Sequence, residues 1–372
     1  MKILKRTMLI IVSVLVALSA FALFYMQLPK FGRAPSGERL EMISKSPHYK
    51  NGAFVNLSPT PTLAEGFSYA EIMYNFFFKK HPDLMPKEKL PSVFTDLHKL
   101  AADADVLVWF GHSSYFMQVD GFRFLVDPVF SENASPVPGS NKAFAGTNVY
   151  STDDMPSIDY LLISHDHYDH LDYETVKALK DKVRYVICGL GVGSHLEHWG
   201  YPTNRIIEKD WNETVDLGKG LKIYTLPARH FSGRKFKRNN TLWLSFLLET
   251  PIRKIFVGGD SGYDSHFAEI GKRFGPIDLA ILENGQYNVA WRAIHCLPEE
   301  TLKVVGELRA KRLMPVHSSK FALGMHPWYE PLSEISRLNS EYQLPLVTPM
   351  IGEQVNLNDT TQTFKEWWKT VE

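Results

Sequence analysis

Six consecutive residues hold the side chains of this sequence that are best suited to chemistry. The run His165-Asp166-His167-Tyr168-Asp169-His170 contains three imidazoles and two carboxylates. In an extended loop His165 and His167 project to the same side and can share one metal ion, whereas Asp169 and His170 fall where the chain turns and can face a neighbouring ion. Imidazole and carboxylate are ligands of zinc, and such sites also accept iron or manganese. The run predicts a metal centre, and a polar loop that only caps a helix is the alternative.

Three further ligand-type residues each follow a predicted strand. His230 follows the apolar segment 221–226, Asp260 follows 254–257 and His317 follows 313–316. Loop residues that follow strands gather at one edge of a sheet, so we expect these side chains to approach the histidine run. A lone histidine after a strand is more often a structural hydrogen-bonding group. The position of the three residues as a set is what favours metal binding.

The elements that must position these residues are strands and helices in mixed order. Apolar segments predict strands at 106–110, 115–119, 122–126, 158–163, 183–187, 221–226, 241–248, 254–257, 279–282 and 313–316. Helices are predicted at 173–182 and 298–311. Asp120-Gly121 is a typical two-residue hairpin turn between the second and third strands. The pattern predicts a layered α/β architecture with the sheets inside.

The N-terminus carries a membrane or export signal. Three positive charges within residues 2–6 precede an apolar run over 8–28, which as a helix can cross roughly 30 Å of hydrocarbon. The pattern Ala20-Phe21-Ala22 leaves a cleaved signal peptide open, although apolar residues continue beyond it. Positive charges before the run favour a catalytic domain on the exported side of the membrane. Residues 1–28 are therefore predicted to be a signal anchor or a signal peptide.

Composition and charge bound the remaining chain. The 372 residues contain 41 Lys and Arg against 41 Asp and Glu, so no overall field attracts nucleic acid, and no nucleic-acid partner is expected. The proline- and glycine-punctuated residues 29–104 are predicted to be a linker and N-terminal wrap, and 105–372 one catalytic domain. The aromatic segment 67–78 is predicted to be a core-packing helix, with a lipid-facing surface as the alternative. Cys188 and Cys296 are predicted to be buried free thiols.

Several of these segments together resemble a known family. The histidine run, 227–230, 258–262 and 315–317 resemble successive motifs of the metallo-β-lactamase superfamily. More narrowly, 109–114 and 125–131 look like the branch that contains N-acylphosphatidylethanolamine-hydrolysing phospholipase D, its bacterial homologues and the ascorbate-phosphate lactonases. The resemblance covers roughly residues 45–357. Its metal motifs are highly specific for the superfamily and much less specific for the substrate.

The resemblance implies both the fold and the ligand set. The implied fold is an αββα sandwich with two divalent metal ions, zinc or else iron or manganese, at one edge of the sheets. One ion is expected on His165, His167 and His230. The second ion is expected on Asp169, His170 and His317, with Asp260 bridging the two.

The metal ions imply a hydrolytic mechanism. Two cations lower the pKa of a bridging water from about 16 toward about 7, which gives a hydroxide nucleophile. Asp166 is not needed as a ligand and is predicted to orient the nucleophile or accept its proton. His295 is predicted to donate a proton to the leaving oxygen, and a histidine that only packs beside the site is the alternative. Asp127 is expected to orient a ligand histidine. His167 stands where redox-active members of the superfamily tend to carry glutamate, which favours hydrolysis.

The sequence thus predicts a membrane-tethered phosphodiesterase of phospholipase D type that acts on an N-acylated phospholipid or a related lipid. Hydrolysis of a carboxylic ester or of a lactone, including sugar-phosphate lactones, is the second possibility with the same site. A non-catalytic metal-binding protein of the cell envelope is the rival from a different class. The presence of all seven expected ligands argues against that rival.

Overall fold

Two β-sheets form the centre of the computed structural model. The structure describes residues 2–371, so the first residue of the predicted range 1–28 and the last residue of the predicted range 105–372 lie outside it. The seven-stranded sheet has the order β15-β3-β4-β5-β6-β7-β8. Its strands are β3 (Val106–Trp109), β4 (Tyr115–Val119), β5 (Phe122–Val126), β6 (Ile158–Ile163), β7 (Val183–Gly189), β8 (Ile206–Lys209) and β15 (Gln354–Asn356).

The second sheet has six strands in the order β14-β13-β12-β11-β10-β9. These are β9 (Glu213–Gly218), β10 (Leu221–Leu226), β11 (Ser245–Glu249), β12 (Lys254–Val257), β13 (Leu279–Glu283) and β14 (Leu313–Val316). A small hairpin of β1 (Tyr49–Lys50) and β2 (Ala53–Phe54) precedes both sheets. Within residues 2–371 the α-helices are α1 (Lys2–Tyr25), α2 (Gly37–Ile43), α3 (Tyr69–Phe78), α4 (Tyr173–Leu179), α5 (Gly193–His198), α6 (His266–Phe274), α7 (Pro298–Glu307) and α8 (Glu330–Tyr342).

The layers follow from side chains that alternate between the two faces of each strand. In β3, Leu107 joins the core between the sheets and Val108 joins the core under α4 and α5. In β12, Ile255 faces the core between the sheets and Phe256 packs with α6, α7 and α8. Helices therefore cover the outer face of each sheet, and the predicted αββα sandwich is confirmed.

Strand direction brings the functional loops to one edge. Strands β5 to β8 run parallel, and so do β12 to β14. Strand β10 is antiparallel to β11, which is antiparallel to β12, so β10 and β12 end at the same edge. The predicted turn between β4 and β5 is also confirmed: Val119 pairs with Phe122, and Asp120 and Gly121 have φ of 50° and 77°.

One predicted strand begins later than its sequence indicates. Strand β11 begins at Ser245 rather than at residue 241. The residues before it are extended but bond to loops of the other sheet, with Leu242 N donating to Leu190 O at 2.8 Å and Leu244 N to Ser164 O at 3.0 Å. These bonds replace the ladder that a strand would need.

Residues 29–104, predicted to be a linker and N-terminal wrap, contribute side chains to the core of the sandwich. Ile43, Phe54 and Leu90 lie buried in the core between the sheets. Helix α1, in contrast, is exposed along its length except near Tyr25, and it is long and apolar enough to cross a membrane. Its 24 residues span about 36 Å. The sequence-based expectation of an apolar N-terminal helix is confirmed.

The aromatic segment 67–78 forms a helix but does not pack in the core. The N-terminus of α3 is capped by Ser68, whose hydroxyl accepts from Glu71 N. Tyr69, Tyr74 and Phe78 are 59–74% exposed. The prediction of a core-packing helix was wrong, because aromatic content alone does not distinguish a core face from an interfacial one. Cys188 and Cys296 are buried and unpaired, as predicted.

Candidate metal centre

All seven predicted ligands meet at the edge where these strands end. The loop after β6 carries the histidine run, and the loops after β10, β12 and β14 carry His230, Asp260 and His317. Five of the seven side chains are buried, and only His167 and Asp169 are partly exposed. Their ligand atoms form overlapping groups within 4.8 Å of one another. The structure thus brings together residues that are up to 152 positions apart, from His165 to His317.

The first group consists of three imidazole nitrogens. His167 Nδ1 lies 2.9 Å from His165 Nε2 and 3.2 Å from His230 Nε2. His230 Nδ1 donates to Ile294 O at 2.9 Å, so its Nε2 carries the lone pair. Two nitrogen ligands of a tetrahedral zinc ion lie about 3.4 Å apart. The spacing and the donor set fit a divalent metal ion.

The second group combines a carboxylate with two imidazoles. Asp169 Oδ2 lies 3.5 Å from His170 Nε2 and 3.4 Å from His317 Nε2. His170 Nδ1 donates to Asp127 Oδ2 at 2.9 Å, which confirms the expected orienting role of Asp127. His317 Nδ1 donates to Gly285 O at 3.3 Å. In both rings the outward hydrogen bond leaves Nε2 facing the group.

Asp260 lies between the two groups. Its Oδ2 is 3.2 Å from His170 Nε2 and 3.3 Å from His317 Nε2, and it is 3.8 Å from both His165 Nε2 and His230 Nε2. Among the residues that the structure describes, Asp260 Oδ1 and His170 Nε2 are buried without a hydrogen-bond partner. Buried polar atoms are rarely left without a partner. These two atoms, and the position of the carboxylate, fit a residue that bridges two metal ions.

The two groups differ in charge. Burial lowers the pKa of His165, His167 and His230, so these imidazoles are neutral and ready to bind a cation. Burial acts in the same direction on His170 and His317, but the negative charge of Asp260 and contacts with Asp169 outweigh it. The pKa of His170 lies well above its usual value, and that of His317 is raised to about 10. Without metal, the second group therefore holds protons that the first group lacks.

Two residues of this site were not identified from the sequence. His112 is fully buried, and its Nε2 lies 2.9 Å from Asp169 Oδ2. Burial lowers the pKa of His112 to about 3, so the neutral ring donates from Nε2 to the carboxylate. Glu283, the last residue of β13, accepts from His295 Nδ1 at 2.5 Å and lies 3.4 Å from His317 Nδ1. The rule that polar residues follow strands could have identified both, because Glu283 follows the predicted strand 279–282 and His112 follows 106–110, in a turn with φ of 52°.

The two predicted catalytic residues occupy different positions. His295 stacks on His317 with ring centroids 5.2 Å apart, and contacts His230 edge to face at 5.0 Å. It therefore lies against both ligand groups with Nδ1 held by Glu283. Its role as a proton donor stays a prediction.

The side chain of Asp166 is hydrogen-bonded to helix α5 and to the segment between β10 and β11. Its carboxylate accepts from Gly233 N at 2.7 Å, from Thr241 Oγ1 at 2.9 Å and from His195 Nε2 at 3.2 Å. Burial acts to raise its pKa, but the hydrogen bond and charge of His195 hold the pKa below its usual value. A carboxylate that is this strongly ionised is a weak base near neutral pH. A catalytic role of Asp166 stays untested, and these bonds favour a positioning role.

Comparisons with known proteins agree with this geometry. The model of a family described as "Beta-lactamase superfamily domain" matches residues 122–318, which include all seven ligands. An uncharacterised protein of Mycobacterium tuberculosis is 36% identical over 331 residues, which cover 87% of this chain and 88% of that protein. The N-acyl-phosphatidylethanolamine-hydrolyzing phospholipase D 1 of Caenorhabditis elegans is 29% identical over 283 residues, covering 69% and 78%. The solved isothiocyanate hydrolase from Delia radicum gut bacteria is similar with a TM-score of 0.53 and 17% identity, over 67% of this chain and 98% of that one, which shows a shared fold.

The charge difference predicts that the two ions bind with different pH dependence. An ion at the first group should displace few protons, whereas an ion at the second must displace those on His170 and His317. As the pH falls below the pKa of His317, about 10, affinity at the second group should drop by about tenfold per pH unit for the proton on that ring, and the raised pKa of His170 should add to the drop. Calorimetric titration of the metal-free protein with Zn²⁺, in buffers of different ionisation enthalpy, measures this release. Equal proton release for both ions would contradict the prediction that the second group holds protons that the first group lacks.

His112 should affect the second ion more than the first. His112→Ala removes the donor to Asp169 and should weaken binding at the second group by about 10- to 100-fold. His112→Gln, whose amide nitrogen can reach a similar position, should recover part of that affinity. Chelator competition that detects two separate binding steps provides the measurement. An unchanged second step in His112→Ala would show that the hydrogen bond does not position Asp169.

Proposed function

This chain belongs to the metallo-β-lactamase superfamily and is a metal-dependent hydrolase of that superfamily, and we propose that it is a membrane-anchored phosphodiesterase of phospholipase D type that acts on a lipid. The observation that carries the proposal is the attachment of an exposed aromatic helix to the edge of the sandwich that holds the ligands. Neither a soluble sugar nor an antibiotic substrate gives a reason for such a helix at this place.

The segments that flank helix α3 are hydrogen-bonded to the rest of the domain on both sides of the helix. Before it, the side-chain amide nitrogen of Asn56 donates to His230 O at 2.7 Å, and Ala64 N donates to Ala290 O at 2.7 Å. After it, Trp328 N donates to Asp83 O at 2.9 Å. The first of these bonds is to the backbone of His230, which is one of the seven predicted ligands. The helix therefore leaves the domain beside the metal edge, where its exposed aromatic side chains are available to acyl chains.

Helix α1 supports the same proposal. It ends at Tyr25, whose hydroxyl donates to Pro136 O at 2.8 Å, so the end of the apolar helix is fixed on the catalytic domain. A substrate that resides in the bilayer would be close to such a domain without diffusing through water. The positive charges before α1 support an orientation with the domain on the exported side. The activity named for the C. elegans relative supports N-acylphosphatidylethanolamine as the first substrate to test.

The chain's own residues account for most of the proposed chemistry. Two bound divalent ions, which we propose to be zinc, would supply an activated water and neutralise charge on a phosphoryl oxygen. Three ligand rings are held in one orientation by a hydrogen bond from Nδ1. These bonds join His170 to Asp127, His317 to Gly285 O and His230 to Ile294 O. Glu283 holds Nδ1 of His295, which leaves Nε2 of that partly exposed ring to donate a proton to the leaving alkoxide.

The first test measures hydrolysis by the full chain in detergent with added Zn²⁺. N-acylphosphatidylethanolamine should release phosphatidic acid, and bis(p-nitrophenyl) phosphate should release nitrophenol. His167→Ala removes a ligand of the first group and should lower both rates by at least about a hundredfold. His98→Ala, an exposed histidine outside the site, is the matched control and should leave both unchanged. Cleavage of lactones or carboxylic esters, with no phosphodiester cleaved, would contradict the phosphodiesterase proposal and favour the alternative.

A second test separates access of the lipid from the chemistry. Tyr74→Glu and Phe78→Glu place a charge on the exposed surface of α3 and should lower hydrolysis of lipid in vesicles by about tenfold. Hydrolysis of soluble bis(p-nitrophenyl) phosphate should stay unchanged. Ile252→Glu is the control, since Ile252 is also exposed but lies in the turn between β11 and β12, at the opposite end of the sheet. Equal loss on both substrates would show that α3 does not serve lipid access.

A further inference from the structure

The residues that follow α1 do not form a free linker. Residues 29–33, here called the juxtamembrane segment, lie on the outside of the metal loop, which is residues 165–171. Trp199 Nε1 donates to Pro29 O at 2.8 Å, and Arg234 Nη2 donates to Lys30 O at 2.7 Å. The ring of Phe31 packs edge to face on Tyr168, with centroids 6.1 Å apart. The segment that leaves the membrane helix is thus in direct contact with the loop that carries four of the seven ligands.

One chain of hydrogen bonds leads from this segment to Asp166. Arg33 N lies 3.0 Å from His195 Nδ1. A backbone N–H can only donate, so Nδ1 accepts and the ring proton is on Nε2. His195 Nε2 then donates to Asp166 Oδ2 at 3.2 Å. Asp166 lies between His165 and His167 in sequence, so a shift of its side chain moves two ligands of the first group.

A second route passes through Arg234. Its Nη1 donates at 2.7 Å to both Asp166 O and Leu171 O, which are near the two ends of the metal loop. Its guanidinium lies 4.1 Å from the ring centroid of Tyr168, and the side chain is 5% exposed. Through Nη2 the same guanidinium holds Lys30 O. One buried cation therefore joins the juxtamembrane segment to both ends of the loop.

The close approach depends on the residue at position 32. Gly32 has φ of 66°, and a Cβ atom there would lie 2.1 Å from His195 Nδ1. Any side chain at this position would push the segment away from His195. Gly37 offers a contrast in the same part of the chain: its φ is 56°, but a Cβ atom there would meet nothing within 4 Å.

We propose that the juxtamembrane segment is a positioning element of the metal centre, acting through His195 and Asp166 and through Arg234. Detaching it would remove the partners of His195 Nδ1, Trp199 Nε1 and Arg234 Nη2, all inside the folded domain. The metal loop would lose its outer support, and the first ion would bind more weakly. Helix α1 and the metal centre are then coupled through the juxtamembrane segment. This coupling holds whichever substrate the metal ions act on.

The test compares Zn²⁺ affinity in the full-length chain in detergent, by competition with a chelator. Gly32→Ala should weaken binding of the first ion by about tenfold, because the added methyl group displaces the segment from His195. Gly37→Ala also places a side chain at a positive φ, here 56°, but without the contact, and should stay within about twofold of the wild type. Thermal unfolding of the metal-free variants checks that both fold. Wild-type affinity in a folded Gly32→Ala variant would overturn the proposal.

A second pair of variants decides the case if Gly32→Ala does not fold. His195→Phe keeps a ring of similar size but removes both hydrogen bonds, and should weaken the first ion by about tenfold. His195→Gln keeps a donor that can reach Asp166 and should recover most of the affinity. A purely packing role for His195 would give the opposite order, with His195→Phe close to wild type. Wild-type affinity in His195→Phe would overturn the proposal.

Discussion

Five imidazoles and two carboxylates share a small volume at one sheet edge, nearly all of it shielded from water. Removing polar and charged groups from water costs several kcal/mol each unless they find partners. The protein supplies partners for the outward-facing atoms, as in the bonds from His170 to Asp127 and from His230 to Ile294 O. Two inward-facing atoms, Asp260 Oδ1 and His170 Nε2, have no hydrogen-bond partner among the described residues. Two divalent cations would satisfy this requirement, and the loops, outer carboxylates and strand ends are arranged around the place that they would occupy.

The unequal distribution of charge gives the two halves of the centre different properties. Three neutral imidazoles form one half, and two carboxylates share the other with two imidazoles that hold protons. Asp260 belongs to both halves. Around this core, Glu283 connects His317 to His295, and His112 connects to Asp169. The exposed helix α3 and the end of α1 are both attached near this edge, so the surface that we propose to contact lipid lies beside the metal centre.

The ligands could be predicted from the sequence because each belongs to a local pattern, a strand followed by a polar residue. The strands that bring these patterns together were predicted from their apolar segments, and β6, β10 and β14 begin and end where expected. Contacts between distant segments that no strand-end pattern marks could not be predicted. Nothing around Gly32 in the sequence indicates that it faces His195, and residues 241–244 are apolar like a strand but bond to loops of the other sheet. The predicted burial of α3 was also wrong, because aromatic content alone does not distinguish a helix that packs in a core from an exposed one.

We predict that one folded chain holds two divalent ions, with Asp260 between them. Metal analysis of the purified full-length protein by inductively coupled plasma mass spectrometry, combined with X-ray absorption spectroscopy of the same sample, tests it most directly. Two ions per chain with a metal–metal scattering contribution is the predicted result, and Asp260→Asn should remove that contribution. A folded, active chain that contains a single ion would contradict the account.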